Sequence, residues 1–66
     1  MSRASECREW LRQNPGWHFS SDVCDGLAAK DPDARQKIAA ALSSCATRKK
    51  IERKGLRHNF RYRGLA

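Results

Sequence analysis

Apolar positions along the chain fall into groups of different period, and each group predicts an element. Cys7, Trp10 and Leu11 recur at i, i+3 and i+4, one face of a helix over about 5–13. Ser2 or Ser5 fits its N-cap, Glu6 suits the positive end of the helix dipole, and Arg12 suits the negative end. Asn14-Pro15-Gly16 ends it, because a proline disfavours helical geometry at the residue before it and a glycine permits a sharp turn. Trp17-His18-Phe19 is too short for a helix and rich in β-formers. It predicts a strand over 17–19, with Trp17 and Phe19 on one side and His18 on the other.

A second helix is expected over about 21–29, with Ser20 as its N-cap. Phe19 and Cys24 are spaced as a hydrophobic staple, and Val23, Cys24, Leu27 and Ala28 form the buried face. The third helix, over about 32–48, has the clearest signature. Asp31-Pro32-Asp33 supplies a cap, a proline at the first helical position and an acid in the first turn. Ala34, Ile38, Ala41, Leu42 and Cys45 then follow the 3.6-residue period, and Ile51 falls off that stripe. Beyond it the period becomes two, which predicts strands over 51–54 and 60–63. Gly55, Leu56 and Asn59 each fit the tip of the turn between them, so the hairpin register stays open. The expectation is one α+β domain over 1–66: three helices and a small antiparallel sheet ending in a β-hairpin.

Size and charge narrow what such a domain does. A chain of 66 residues buries only about 60% of its unfolded surface, so its core is thin. That is too little chain for a large catalytic fold. No Ser/His/Asp set, phosphate-cradling glycine loop or paired carboxylates is evident, so no enzyme, cofactor or small-molecule substrate is expected. The net charge is +7, and all of it lies in residues 48–66. There Arg48, Lys49, Lys50, Arg53, Lys54, Arg57, Arg61 and Arg63 face Glu52 alone, interleaved with Ile51, Phe60 and Tyr62. A folded element with that pattern has the electrostatic footprint of a phosphate-binding surface.

Cys7, Cys24 and Cys45 are odd in number, far apart and each within a helical stripe, so they read as small buried hydrophobes. With no C-x-x-C pair, and His18 and His58 not spaced as ligands, no metal is expected. His18 reads as a surface strand residue. Of Trp10, Trp17, Phe19, Phe60 and Tyr62, a stacking platform for single-stranded nucleic acid is one reading and the core is the other; a chain this short favours the core for most of them. No apolar run spans a membrane, and the start of the chain lacks a secretory apolar stretch, so a cytoplasmic, nucleoid-associated location is expected.

The order of elements resembles a winged helix-turn-helix domain. Ile38-x3-Leu42-x2-Cys45-x5-Ile51-Glu52-Arg53 is similar to that family's recognition helix running into its first wing strand. Phe19-Ser20-Ser21-Asp22-Val23, followed by Leu27, is similar to the entry to its second helix. The likeness covers about residues 5–63. Lys49 stands where the family usually carries a left-handed glycine, so either that conformation costs on the order of 1 kcal/mol here or the helix ends differently.

The resemblance implies a third helix lying in a DNA major groove. Gln36, on the outward face with Ala39, Ala40, Ser43 and Thr47, would then read adenine, and Arg35, on its flank with Ser44, would read guanine. Lys49, Lys50, Arg53, Lys54, Arg57, Arg61 and Arg63 would contact phosphates, with Arg57, His58 and Asn59 near the tip reaching a minor groove. Asp31 and Asp33 sit at the helix end that usually approaches DNA and count against this docking. The implied protein is a small bacterial or phage-type transcriptional regulator, or an excisionase-like factor, acting on double-stranded DNA as a weak dimer or at tandem sites. The rival reading is a protein-interaction module, a winged-helix inhibitor or adaptor docking on an acidic partner. RNA binding ranks third.

Overall fold

The computed structural model describes residues 3–56 and 59–65. It is α+β, with three helices packed against one face of a three-stranded antiparallel sheet. Helix α1 (Arg3–Gln13) starts two residues earlier than expected and contains Ser5 instead of being capped by it; Ser2 lies outside the described residues. It buries Cys7 and Leu11, as the stripe requires.

Helix α2 (Ser20–Gly26) is shifted from the expected 21–29. Phe19, held extended by its pairing with Arg61 in the sheet, takes the N-cap position in place of Ser20. The Asp22 carboxylate reaches back to accept the Phe19 N–H at 3.0 Å, satisfying one donor the helix start leaves open. The other end stops at Gly26 because Ala28 turns left-handed, with φ 59°. Its N–H bonds the Asp25 carbonyl, and the Ala29 N–H bonds the Cys24 carbonyl at 2.9 Å, the paired bonds of a Schellman ending. This turn leaves Ala28 exposed and carries Ala29 into the core, so Ala28 is not part of the buried face.

Helix α3 (Pro32–Thr47) follows its sequence signature closely. Asp31 caps it by accepting the Ala34 N–H at 3.1 Å, and Ile38, Leu42 and Cys45 are buried. It ends in a second Schellman pair: Lys49 N–H to Ala46 carbonyl and Lys50 N–H to Cys45 carbonyl, at 3.0 and 2.8 Å. Lys49 has φ 61°, the left-handed conformation a glycine would adopt freely.

Strands β1 (His18–Phe19), β2 (Ile51–Lys54) and β3 (Arg61–Gly64) are ordered β1-β3-β2. The hairpin pairs Ile51 with Gly64 and Lys54 with Arg61, leaving residues 55–60 as the connection, with Gly55 at φ 106°. Strand β3 is therefore one residue later than expected: Phe60 falls in the loop and Gly64 joins the sheet. Gly64 passes so close to α1 that a Cβ there would lie 3.1 Å from the Leu11 carbonyl carbon.

The inner face of the sheet sends Ile51 and Tyr62 into a core shared with Cys7, Leu11, Val23, Cys24, Ala29, Ile38, Leu42 and Cys45. All three cysteines are buried free thiols. The aromatics do not fill the core as expected. Tyr62 alone is buried, and Trp10 and Phe60 pack half-buried at the margin. Pairing His18 with Tyr62 puts His18 on the helix side, where its ring meets Trp10 edge-on at 4.8 Å and Nε2 donates to the Asn14 carbonyl. Strand β1 is shorter than the expected 17–19; Phe19, paired with Arg61, turns to the outer face, and Trp17 just before the strand lies there too, against Lys54 and Arg63. Among the described residues, no helix is long and apolar enough to cross a membrane.

Candidate nucleic-acid interface

Every acidic side chain is engaged within the fold. Glu6 pairs with Arg3, Glu9 with Arg12, Asp25 with Arg35, Asp33 with Lys37 and Glu52 with Arg63. Asp22 and Asp31 accept backbone N–H groups at the starts of α2 and α3. The hydrogen bond from Arg63 holds the Glu52 carboxyl below its usual range. Among the described residues, the cations without an acidic partner are Arg8, Lys30, Arg48, Lys49, Lys50, Arg53, Lys54 and Arg61. Six of these eight follow one another from the end of α3 through the hairpin. The helical body is left with Arg8 and Lys30 unpaired, and the excess lies on the segment from the end of α3 through the hairpin.

The outward face of α3 exposes Gln36, Ala40, Ser43, Ser44 and Thr47, while Ala39 is half-buried. Small side chains at these positions keep the helix backbone accessible to a partner's surface. Arg35 is different from the reader expected on that face. Its guanidinium donates to Asp25 and to the Ala29 carbonyl, both at 2.9 Å, tying α3 to the turn after α2. The bond to Asp25 also raises its pKa. Arg35 is thereby committed to a contact between helices.

Arg48, Lys49 and Lys50 are exposed at the C-terminal end of α3, where the negative end of the dipole favours cations. Arg48 belongs to the same basic run and occupies the C-cap of the helix. The hairpin then divides its charges by strand alternation. Arg53, paired with Tyr62, lies on the inner side at its edge, with its guanidinium carbon 4.6 Å from the Phe60 ring centroid. Lys54, Arg61 and Arg63 lie on the outer side with Trp17 and Phe19. Asn59 is exposed near the tip, its N–H donating to the Leu56 carbonyl at 2.8 Å. Arg57 and His58, expected at the tip, lie outside the described residues.

Sequence reasoning therefore found the cations but not their sorting onto two surfaces. The alternation of Trp17 and Phe19 was legible, but the side they face depends on pairing with β3. Among the described residues, no group of three or more histidine, cysteine or acidic side chains is placed to hold a metal ion. Comparison of the chain with protein-family models, with curated proteins and with solved structures gives no match.

Proposed function

We propose that the chain is a winged helix-turn-helix protein that binds double-stranded DNA sequence-specifically, as a small transcriptional regulator or excisionase-like factor. The observation that carries this reading is the run of cations without acidic partners, Arg48, Lys49, Lys50 and Arg53, beside the small-residue face of α3. In this arrangement α3 enters the major groove. Gln36, Ser43 and Thr47 face base edges, while the cations at the helix end and hairpin hold phosphates. Asn59, with Arg57 and His58, is assigned to the groove beside the wing. Asp31 and Asp33 oppose DNA less than their sequence position suggested, because one caps α3 and the other is paired with Lys37. A weak dimer or tandem sites would extend the base contacts that one such domain makes.

The test is selection of a site from random duplexes, followed by titration across salt concentrations. Four phosphate contacts give a log–log slope of roughly −3 to −4, and Lys50→Ala or Arg53→Ala each reduces it by about 1. Gln36→Ala relaxes preference at one base position by about 1–3 kcal/mol. Arg35→Ala lowers the melting temperature and leaves base preference unchanged, because its guanidinium holds Asp25 and Ala29. A flat salt response, or no enrichment of any duplex sequence, overturns the reading.

A further inference from the structure

The outer face of the sheet is built differently from the surface assigned to duplex DNA. Two aromatic rings lie there, away from the core, in a chain whose core is short of large side chains. Phe19 leaves 40% of its surface in solvent, and Trp17 is half-buried. Each ring has a cation of the hairpin against it. Lys54 Nζ lies 4.4 Å and the Arg63 guanidinium carbon 4.5 Å from the Trp17 ring, and Arg61 lies 4.9 Å from the Phe19 ring. The one acid on this face, Glu52, is taken up by Arg63. Toward the hairpin tip the face continues into a depression of about 260 Å³ bounded by Phe19, Lys54, Leu56 and Arg61.

We infer that this face binds single-stranded DNA, with unpaired bases stacked on Trp17 and Phe19 and the adjoining phosphates held by Lys54 and Arg61, the two cations of the face without an acidic partner. A nucleotide presents a flat apolar base and an anion a few ångströms apart; the cations here lie over the rings, so a base stacks on the remaining ring surface or on the guanidinium plane covering it, with its phosphate at a neighbouring cation. Spacing distinguishes a single strand from a duplex. Trp17, just before β1, and Phe19 on it are two residues apart, about 6.7 Å in extended chain, whereas bases stacked in a duplex strand repeat every ~3.4 Å. Neighbouring bases reach both rings only from a strand that is unstacked and splayed. Arginine planes accept stacked bases as rings do, so the cations enlarge the platform. The inference rests on the DNA reading above but uses the opposite face of the hairpin, so a duplex on α3 and an unpaired strand on β1–β3 can be held together.

The test measures binding of the full chain to a labelled oligo-dT of about 12 nucleotides and, separately, to the selected duplex. Combined Trp17→Ala and Phe19→Ala weakens oligo-dT binding on the order of tenfold or more and leaves duplex binding within about twofold. The exchange Trp17→Phe with Phe19→Trp retains the oligo-dT affinity. If the alanine pair does not fold, Trp10→Phe leaves Trp17 as the sole indole, and its emission is quenched on adding oligo-dT. Equal loss of both ligands in the alanine pair overturns the inference, as does an unquenched Trp17. Wild-type binding of duplex without oligo-dT overturns it and leaves the duplex reading intact. Binding of oligo-dT without duplex supports this face and overturns the duplex reading. Preference for oligo-U over oligo-dT overturns the assignment to DNA.

Discussion

The indole of Trp10 lies directly over the α-carbon of Gly26, so that a Cβ on Gly26 would fall 2.1 Å from Trp10 Nε1. This contact sets how closely α1 approaches the end of α2, and it holds the ring that packs edge-on to His18. In an isolated helix, Gly→Ala would stabilise by about 0.5–1 kcal/mol. Here we expect Gly26→Ala to destabilise by about 1–3 kcal/mol, because the indole is packed against the core margin and must move. Thermal unfolding should show a melting temperature lower by several degrees, on the order of 4–8 °C per kcal/mol for a domain of this size. Adding Trp10→Ala should remove most of the extra cost of the Gly26 change, though not the loss of Trp10's own packing.

Two left-handed residues without glycine offer a separation of stability from binding. Ala28 and Lys49 hold equivalent Schellman positions, with φ 59° and 61°. Left-handed backbone costs a non-glycine residue about 1–2 kcal/mol, and glycine's greater freedom in the unfolded chain offsets part of the relief. Ala28→Gly and Lys49→Gly should therefore each stabilise by up to about 1 kcal/mol in urea unfolding. Only Lys49→Gly should weaken duplex binding and lower its salt slope. Equal effects of the two changes on DNA binding would show that Lys49 makes no phosphate contact.

Burial pushes the Cys7 thiol up to about 11 from an ordinary 9.0, with the neighbouring Cys45 and Cys24 adding to the effect. A raised thiol pKa means that the unfolded chain loses its proton at lower pH than the folded one. The stabilisation is fully present below pH 9 and is lost as pH rises from 9 toward 11, by about 2–3 kcal/mol at 1.36 per unit. Urea unfolding at intervals over that range should show this decline. Cys7→Ala should be less stable at neutral pH, from the cavity it leaves, but decline less steeply across the same interval. Alkylation of Cys7 in the native protein should be slow for the same reason, since the thiolate is the reactive form.

Much of this molecule can be read from local pattern. The stripe Ile38, Leu42 and Cys45, the Asp31-Pro32-Asp33 start of α3 and the β2 strand Ile51–Lys54 are where the sequence places them. The reason is that periodicity and capping are short-range properties. Confinement of the net charge of +7 to residues 48–66 is likewise a fact of the sequence. Tertiary structure decided the rest. Chain turns at Ala28 and the pairing of Phe19 with Arg61 moved both ends of α2, because helix ends depend on what receives their open backbone groups. Contact with Asp25 and Ala29 turned Arg35 from a candidate reader into a tie between helices. Above all, the register of β3 between β1 and β2 chose which side of the sheet faces the core. A one-residue slip would exchange the two faces. That choice buries Tyr62, turns Trp17 and Phe19 outward beside Lys54, Arg61 and Arg63, and divides a single run of charge into two surfaces.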